Sequence, residues 1–399
     1  MTWFTATPQA SLTSTRRRFV ALDGLRGLAA LLVIFYHVGW PTHLTGNKFV
    51  GNGYLAVDVF FLLSGIVIFH NYANDVVTFE RFKRFLWLRF CRVYPLHFAV
   101  LVVLVCMEFA KLAVQGMGYS SEQLPFTNTT TYSALVANIF LVQGLHTLNE
   151  LSWNLPSWSI SCEFFAYVAF GFLTLTGVTR SVVFSVVAPV FSGAVYCALA
   201  VNFGNLDITY DWGGARCVAG FFLGSSIIFI GSFISGAVPD RVLQLAEVAV
   251  VVAAIALMSL ATGSSVVLVI PLFIAAIALL QRDKGPIARL LRLRSIQYLG
   301  KISYSIYMVQ LLTMLSVTII LKRFFKIPVL TDPRTQRITM IMNPWVGDIV
   351  LIGIILLVLL VATVTYEFIE NPGRRLGRQL TAPGQNSRWG QLRLDIDKQ

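Results

Sequence analysis

Ten stretches of this 399-residue chain are each long and apolar enough to cross a lipid bilayer, and that recurrence closes off most folds. About twenty apolar residues in a helix cover the ~30 Å of hydrocarbon. Lipid offers no hydrogen bonds, so a spanning segment must satisfy its own backbone, as a helix does. The expected spans are 22–41, 53–72, 93–115, 157–176, 182–201, 214–232, 242–259, 264–281, 296–320 and 348–368. Only 13% of residues are charged, against roughly 25% in a soluble domain. Each charge at the bilayer centre costs about 2.5 to 3.5 kcal/mol on insertion scales. Arg16, Arg17 and Arg18 precede the first run, which is too long for a signal peptide and lacks a small-residue cleavage site. It is read as an uncleaved first span.

An eleventh stretch, 133–146, is too short to cross comfortably. Charge decides how it is read. With ten spans and the N-terminus inside, cytoplasmic segments carry 21 Lys and Arg and outer segments carry 6. If 133–146 also crossed, the count would be 13 against 14. Cytoplasmic loops collect positive charge, so ten spans are expected. The predicted fold is an all-α polytopic membrane protein of about ten transmembrane helices plus a short re-entrant or interfacial helix. Both termini are expected in the cytoplasm. One transmembrane domain (22–370) lies between tails 1–21 and 371–399. A basic outer loop, 321–347, is the misfit to the charge rule.

The formal net charge of +12 does not argue for nucleic-acid binding, because Lys and Arg sit in short loops beside apolar runs. The five cysteines form no CxxC pair, so neither a metal nor a disulfide framework is expected. There is no Walker loop, HExxH helix or GxSxG elbow. That speaks against an ATP-driven pump and a lipase.

Ionisable residues at membrane depth are functional candidates by default. The first span carries His37 in its outer half, with Asp23 and Arg26 three residues apart at its inner end. His37 lies eleven residues beyond Arg26, about 16 Å along the axis. Asp58, in GYLAVDVFFLLSG, falls in the outer half of the antiparallel second span and is expected to face His37. A carboxylate beside imidazole would fix its tautomer and raise its basicity. Arg89 and Arg92 stand three apart at the inner start of span three, where guanidinium forks suit phosphate. His97, just inside that span, is a candidate supporting residue. Glu163 lies inside the fourth apolar helix, with Trp158, Ser159 and Ser161 around it; Arg216 in the sixth span is its expected counter-charge. Glu108 and Lys111 look like an interfacial pair.

In these motifs the chain resembles the integral membrane acyltransferase type 3 family, from about Phe19 to Arg375. The matching pieces are FVALDGLRGLAALLVIFYH, GYLAVDVFFLLSG, RFLWLRFCRVYPLH, LPSWSISCEFFAY, Arg216 with FFLGS, LGKISYSIYMVQ and YEFIENPGRR. The resemblance implies transfer of an acyl group, usually acetyl, from coenzyme A to a hydroxyl, typically of a carbohydrate. His37 matches the family's essential histidine, and Arg89 and Arg92 its Arg-x-x-Arg motif toward coenzyme A. Asp23, Arg26, Asp58 and Glu163 match its other polar positions. Two departures stand out: Phe164 follows Glu163 where a second carboxylate is common, and Gln310 stands where a histidine is common.

The reading is therefore a membrane O-acyltransferase in a bacterial inner membrane. Acyl-coenzyme A is its co-substrate and a carbohydrate or glycolipid its acceptor, with lipid as surroundings and no nucleic acid or metal. His37, Asp58 and Glu163 are the expected catalytic group. Arg89, Arg92 and Arg26 are expected to hold the donor, with Asp23, Arg216, Trp158 and Ser159 in support. Direct transfer and an acyl-histidine intermediate both stay open, as does the oligomeric state. A proton-coupled transporter or flippase is the alternative, since buried His, Asp, Glu and Arg suit it too. No pair of Gly/Pro-broken repeats supports it.

Overall fold

The computed structural model describes residues 19–118, 124–331 and 338–381. Arg16–Arg18, Arg334, Arg337 and the tail beyond 381 lie outside the described residues. Ten helices carry the ten expected spans, the eighth of them extended at its start by a 3-10 turn, Gly263–Leu268. They are α1 (Val20–His37), α2 (Ala56–Tyr72), α3 (Phe79–Gly116), α4 (Trp158–Leu175) and α5 (Val182–Phe203), then α6 (Gly213–Ala237), α7 (Asp240–Leu260), α8 (Val269–Leu280), α9 (Arg294–Phe325) and α10 (Pro344–Thr365). Among the described residues nine helical segments are long and apolar enough to cross a membrane. The tenth span falls on α6, whose apolar described part runs Gly213–Ile228. The protein is an all-α polytopic membrane protein. Outward faces such as Val182, Val183, Val186, Val190 and Phe191 on α5 are exposed and apolar, as lipid contact requires.

Local chemistry fixes the helix ends. Thr78 caps α3 by accepting from Arg81 N, and Ser181 caps α5 by accepting from Phe184 N. Asn343 caps α10 ahead of Pro344, whose missing N–H costs nothing in the first turn. The two helices around the site overrun the bilayer. α3 has 38 residues and α9 has 32, about 57 and 48 Å at 1.5 Å per residue. The expected loop 73–92 is thus largely the first turns of α3, and Arg89 and Arg92 sit on a continuous helix.

Close glycine contacts give the directions of the helices. Gly24 of α1 lies beside Ile296 and Gln297 of α9, and Gly27 beside Gly300, so these helices run parallel. On α2 and α6, Phe61 meets Gly220 and Leu62 meets Gly224, again in parallel. Parallel neighbours have an odd number of crossings between them, here seven between α1 and α9 and three between α2 and α6. An additional crossing at 133–146 would make both pairs antiparallel. The side where α1 begins is called the basic side below, and the opposite one the distal side.

Residues 132–146 enter from the distal side and return to it. An eight-residue helix, Tyr132–Ile139, ends in irregular chain. Irregular backbone at membrane depth needs partners from protein, and side chains supply them. Tyr94 OH donates to Ile139 O, His97 Nε2 to Asn138 O and Ser161 Oγ to Leu141 O. Gly144 N donates back to Ser161 Oγ.

Gly65 makes the closest glycine contact between two helices: a Cβ there would lie 1.9 Å from Phe221 O. Gly65→Ala is expected to destabilise by about 1–3 kcal/mol through overpacking. Gly353→Ala, inside α10 with nothing within 4 Å, should be neutral or mildly stabilising, because Ala is the better helix former. Thermal unfolding in detergent compares the two.

Candidate active site

Two adjoining cavities lie between α1, α2, α3, α4 and α9. The larger, a vestibule of about 750 Å³, lies toward the basic side. Six cations line it: Arg26, Arg89, Arg92, Arg294, Lys301 and Arg374, against two carboxylates, Asp23 and Glu370. Each charge has a local reason to be there. Asp23 and Arg26 share a face of α1 at i,i+3 and pair at 3.5 Å. Arg89 and Arg92 share a face of α3 in the same way. Arg89 donates to Tyr72 OH at 2.9 Å and lies over its ring, while its buried Nε has no partner among the described residues. Glu370 comes from a π turn, Tyr366–Glu370. Pro372 has no N–H for the Phe368 carbonyl, and the wider turn lets Asn371 N reach Tyr366 O instead. That turn leaves Glu370 2% exposed, accepting from Ser305 Oγ and 3.5 Å from Arg374.

Arg26, Val67, Arg92, Ser303 and Tyr304 line both cavities and form the boundary between them, here called the neck. Beyond this neck is a chamber of about 60 Å³. Its walls are mostly apolar, among them Val57, Phe60, Phe61 and Ile160, with Ser64, Ser159, Glu163 and Tyr307 as polar points. Tyr307 OH donates to Pro156 O at 3.1 Å and lies 2.9 Å from Ser159 Oγ. Glu163 is within electrostatic reach of both Arg26 and Arg92. It accepts from Tyr167 OH at 2.5 Å, and Tyr167 OH lies 3.0 Å from Ser64 Oγ. Tyr167 has one hydroxyl proton and gives it to the carboxylate. In the second contact Ser64 is therefore the donor.

A separate charged group sits toward the distal side. Arg216 holds Asp58 bidentately, Nε to Oδ1 at 2.9 Å and Nη2 to Oδ2 at 2.6 Å, with both residues 0% exposed. Tyr196 OH donates to the same carboxylate at 2.8 Å. Two of the other three guanidinium protons go to Ile208 O and Tyr54 O. Trp158 and Tyr54 flank the cation.

This arrangement corrects two expectations. Asp58 does not face His37: its hydrogen bonds go to Arg216 and Tyr196, and none joins it to His37 among the described residues. Arg216 is correspondingly not the counter-charge of Glu163. A fork of two parallel N–H donors is a stronger partner for a buried carboxylate than one imidazole nitrogen. His37 closes α1, half-buried, and donates Nδ1–H to Val33 O at 2.8 Å. Its ring packs edge-on against Tyr36, whose hydroxyl donates to Asp207 at 2.6 Å. His37 lines neither cavity. His97 serves the re-entrant backbone, and Gln310 is fully buried on α9, donating to Tyr307 O. The Glu108–Lys111 pair forms, and Glu108 also takes Phe126 N.

The structure adds Ser64, Tyr307, Glu370 and Arg374 to the cavities, Tyr167 behind Ser64 and Glu163, and Tyr196 to the distal pair. Tyr167 was findable as the i+4 neighbour of Glu163, and Glu370 with Arg374 by the same spacing. Tyr196 carries no signal inside its apolar run.

A helical membrane bundle with a cation-lined vestibule leading to a small carboxylate-bearing chamber is a membrane protein suited to an anionic ligand with a thinner end. Residues 19–366 match the acyltransferase 3 family, described as an acyltransferase domain, and the chain belongs to it. The resemblance in its motifs is thereby borne out. The chain is 32% identical over 163 residues to Acyltransferase MdmB of Streptomyces mycarofaciens, covering 38% of each chain. It is 37% identical over 160 residues to Protein 2 in picA locus of Rhizobium radiobacter, covering 38% of this chain and 79% of that one. No solved structure matches the chain. No group of three or more potential metal ligands occurs among the described residues.

Proposed function

We propose that the protein is a membrane O-acyltransferase that moves an acyl group, acetyl in the simplest case, from acyl-coenzyme A to a hydroxyl of a carbohydrate or lipid-linked glycan. The vestibule carries this reading. It has a volume in the range of small-molecule sites, roughly 300–1,000 Å³, a cation excess, and an unpartnered guanidinium proton on Arg89. Coenzyme A has phosphates at one end and a thin thiol-bearing arm at the other. Arg89, Arg92 and Arg26 take the phosphates, and the arm passes the neck into the chamber. The positive-inside count supports a cytoplasmic vestibule, the side from which acyl-coenzyme A would enter.

His37 is the proposed base toward the acceptor. Giving Nδ1–H to Val33 O makes Nε2 the basic nitrogen of the neutral ring. Asp58 supports this end indirectly: it fixes Arg216, which binds the backbone at Tyr54 and Ile208, and Tyr54 packs on Tyr36 beside His37. The acceptor hydroxyl loses its proton as its oxygen attacks the acyl carbon, and the coenzyme thiolate finally takes up a proton.

The test uses protein in nanodiscs with acetyl-coenzyme A and a glycan acceptor extract. Arg92→Ala is expected to raise KM for acetyl-coenzyme A by about 10- to 100-fold, since a charge-assisted hydrogen bond contributes roughly 1.5–3 kcal/mol. Arg92→Lys should recover part of it. An unchanged KM in a folded Arg92→Ala protein refutes the donor site.

A further inference from the structure

We propose that Ser64 is a catalytic nucleophile that carries the acyl group covalently between donor and acceptor. The inference rests on the acyltransferase reading above and divides that transfer into two half-reactions.

Three observations carry it. First, Ser64 and Glu163 both line the chamber just past the neck formed by Arg26 and Arg92, where the acyl end of a donor anchored in the vestibule would arrive. Second, the Ser64 hydroxyl points away from its own helix. Most helical Ser and Thr here donate back to a carbonyl three or four residues earlier, as Ser225, Ser226, Ser303, Thr313 and Thr318 do. Ser64 instead bonds Tyr167, on a different helix. Third, the bonds have a fixed direction: Ser64 Oγ–H to Tyr167 Oη at 3.0 Å, and Tyr167 Oη–H to Glu163 at 2.5 Å. A hydroxyl within hydrogen-bond reach of a group that is itself oriented by a carboxylate is the general arrangement of an activated nucleophile.

In the first half-reaction Ser64 Oγ attacks the thioester carbonyl carbon. Its proton passes to Tyr167 as the Tyr167 proton passes to Glu163. The carbon–oxygen bond forms, the carbon–sulfur bond breaks, and the thiolate leaves, taking the proton back from Glu163. The products are acyl-Ser64 and free coenzyme A. In the second, the acceptor oxygen attacks the same carbonyl carbon as its proton passes to His37, the bond from the acyl carbon to Ser64 Oγ breaks, and the Ser64 oxygen ends with that proton. Ser64, Tyr167 and Glu163 end as they began. The chamber has room for a small acyl group: at about 60 Å³ it takes a few water-sized groups, each needing roughly 10–15 Å³.

The experiment mixes full-length wild-type protein with [14C]acetyl-coenzyme A without acceptor, quenches in acid, and locates the label by peptide mass spectrometry. One acetyl group on Ser64, discharged when glycan acceptor is added to an unquenched sample, is expected. Ser64→Ala should lose the adduct and lower transfer by about 10²- to 10⁴-fold. Ser64→Cys should carry a thioester released by neutral hydroxylamine, a signature that a packing role cannot produce. Glu163→Gln should slow appearance of the label with Ser64 still present. Product formation without acetyl-Ser64 in quenched wild-type protein, or an adduct on His37 instead, overturns the proposal and leaves the acyltransferase reading intact. Failure to consume any acyl-coenzyme A with acceptor supplied overturns both.

Discussion

Replacing Arg216 by methionine is expected to destabilise the protein by about 3–5 kcal/mol, the cost of leaving a buried charge without its partner. Asp58 would keep one donor, Tyr196 OH, and lose the two guanidinium bonds that face it at 0% exposure. The carbonyls of Tyr54 and Ile208 would lose their donors as well. Most single substitutions cost 0.5–3 kcal/mol, so this one should stand out in denaturation or in the fraction folded in membranes. Removing both charges, as Asp58→Asn with Arg216→Met, should recover much of the loss, because the penalty lies in the orphaned carboxylate rather than in a missing attraction. A double variant as unstable as the sum of the singles would show that the pair is not coupled.

His37→Gln is expected to lower kcat by about 10²- to 10⁴-fold, the usual contribution of a positioned general base. Glutamine puts an amide near the place of Nε2 and keeps the volume, but it cannot take a proton. The KM for acetyl-coenzyme A should hardly change, because His37 lines neither the vestibule nor the chamber. That split separates His37 from Arg92, whose loss should act mainly on KM. Wild-type kcat in folded His37→Gln protein would remove the residue from the chemistry.

How much of this was legible in the sequence depends on how local the cause is. The spans were, because twenty apolar residues act within one segment. So was the short entry at 133–146, because charge counts along the chain fix its parity. Asp23 with Arg26 and Arg89 with Arg92 were legible as i,i+3 pairs on one helix face. Pairings across helices were not. Asp58 and His37 occupy the same depth on neighbouring helices, and depth alone suggested a contact. Which way Asp58 points depends on the rotation of α2 about its axis. Gly65 and Gly224 set that rotation by bringing α2 against α6, which turns Asp58 toward Arg216. Tyr196 shows the limit: its hydroxyl becomes meaningful only once the carboxylate it serves has been placed in space.

The distal ion pair joins residues 158 positions apart, and this bears on how the chain is made. At roughly 5–20 residues per second, Asp58 emerges from the ribosome about 10–30 s before its partner. During that interval α2 carries a buried-type carboxylate without a cation. It must wait in the water-accessible channel of the insertion machinery or at the membrane surface. Four further helices have to be delivered before α2 can settle into lipid-excluded packing against α6. Assembly is then set by the latest-born partner, so a pause in translation before Arg216 should expose the nascent chain to membrane proteases, and one placed after α6 should not.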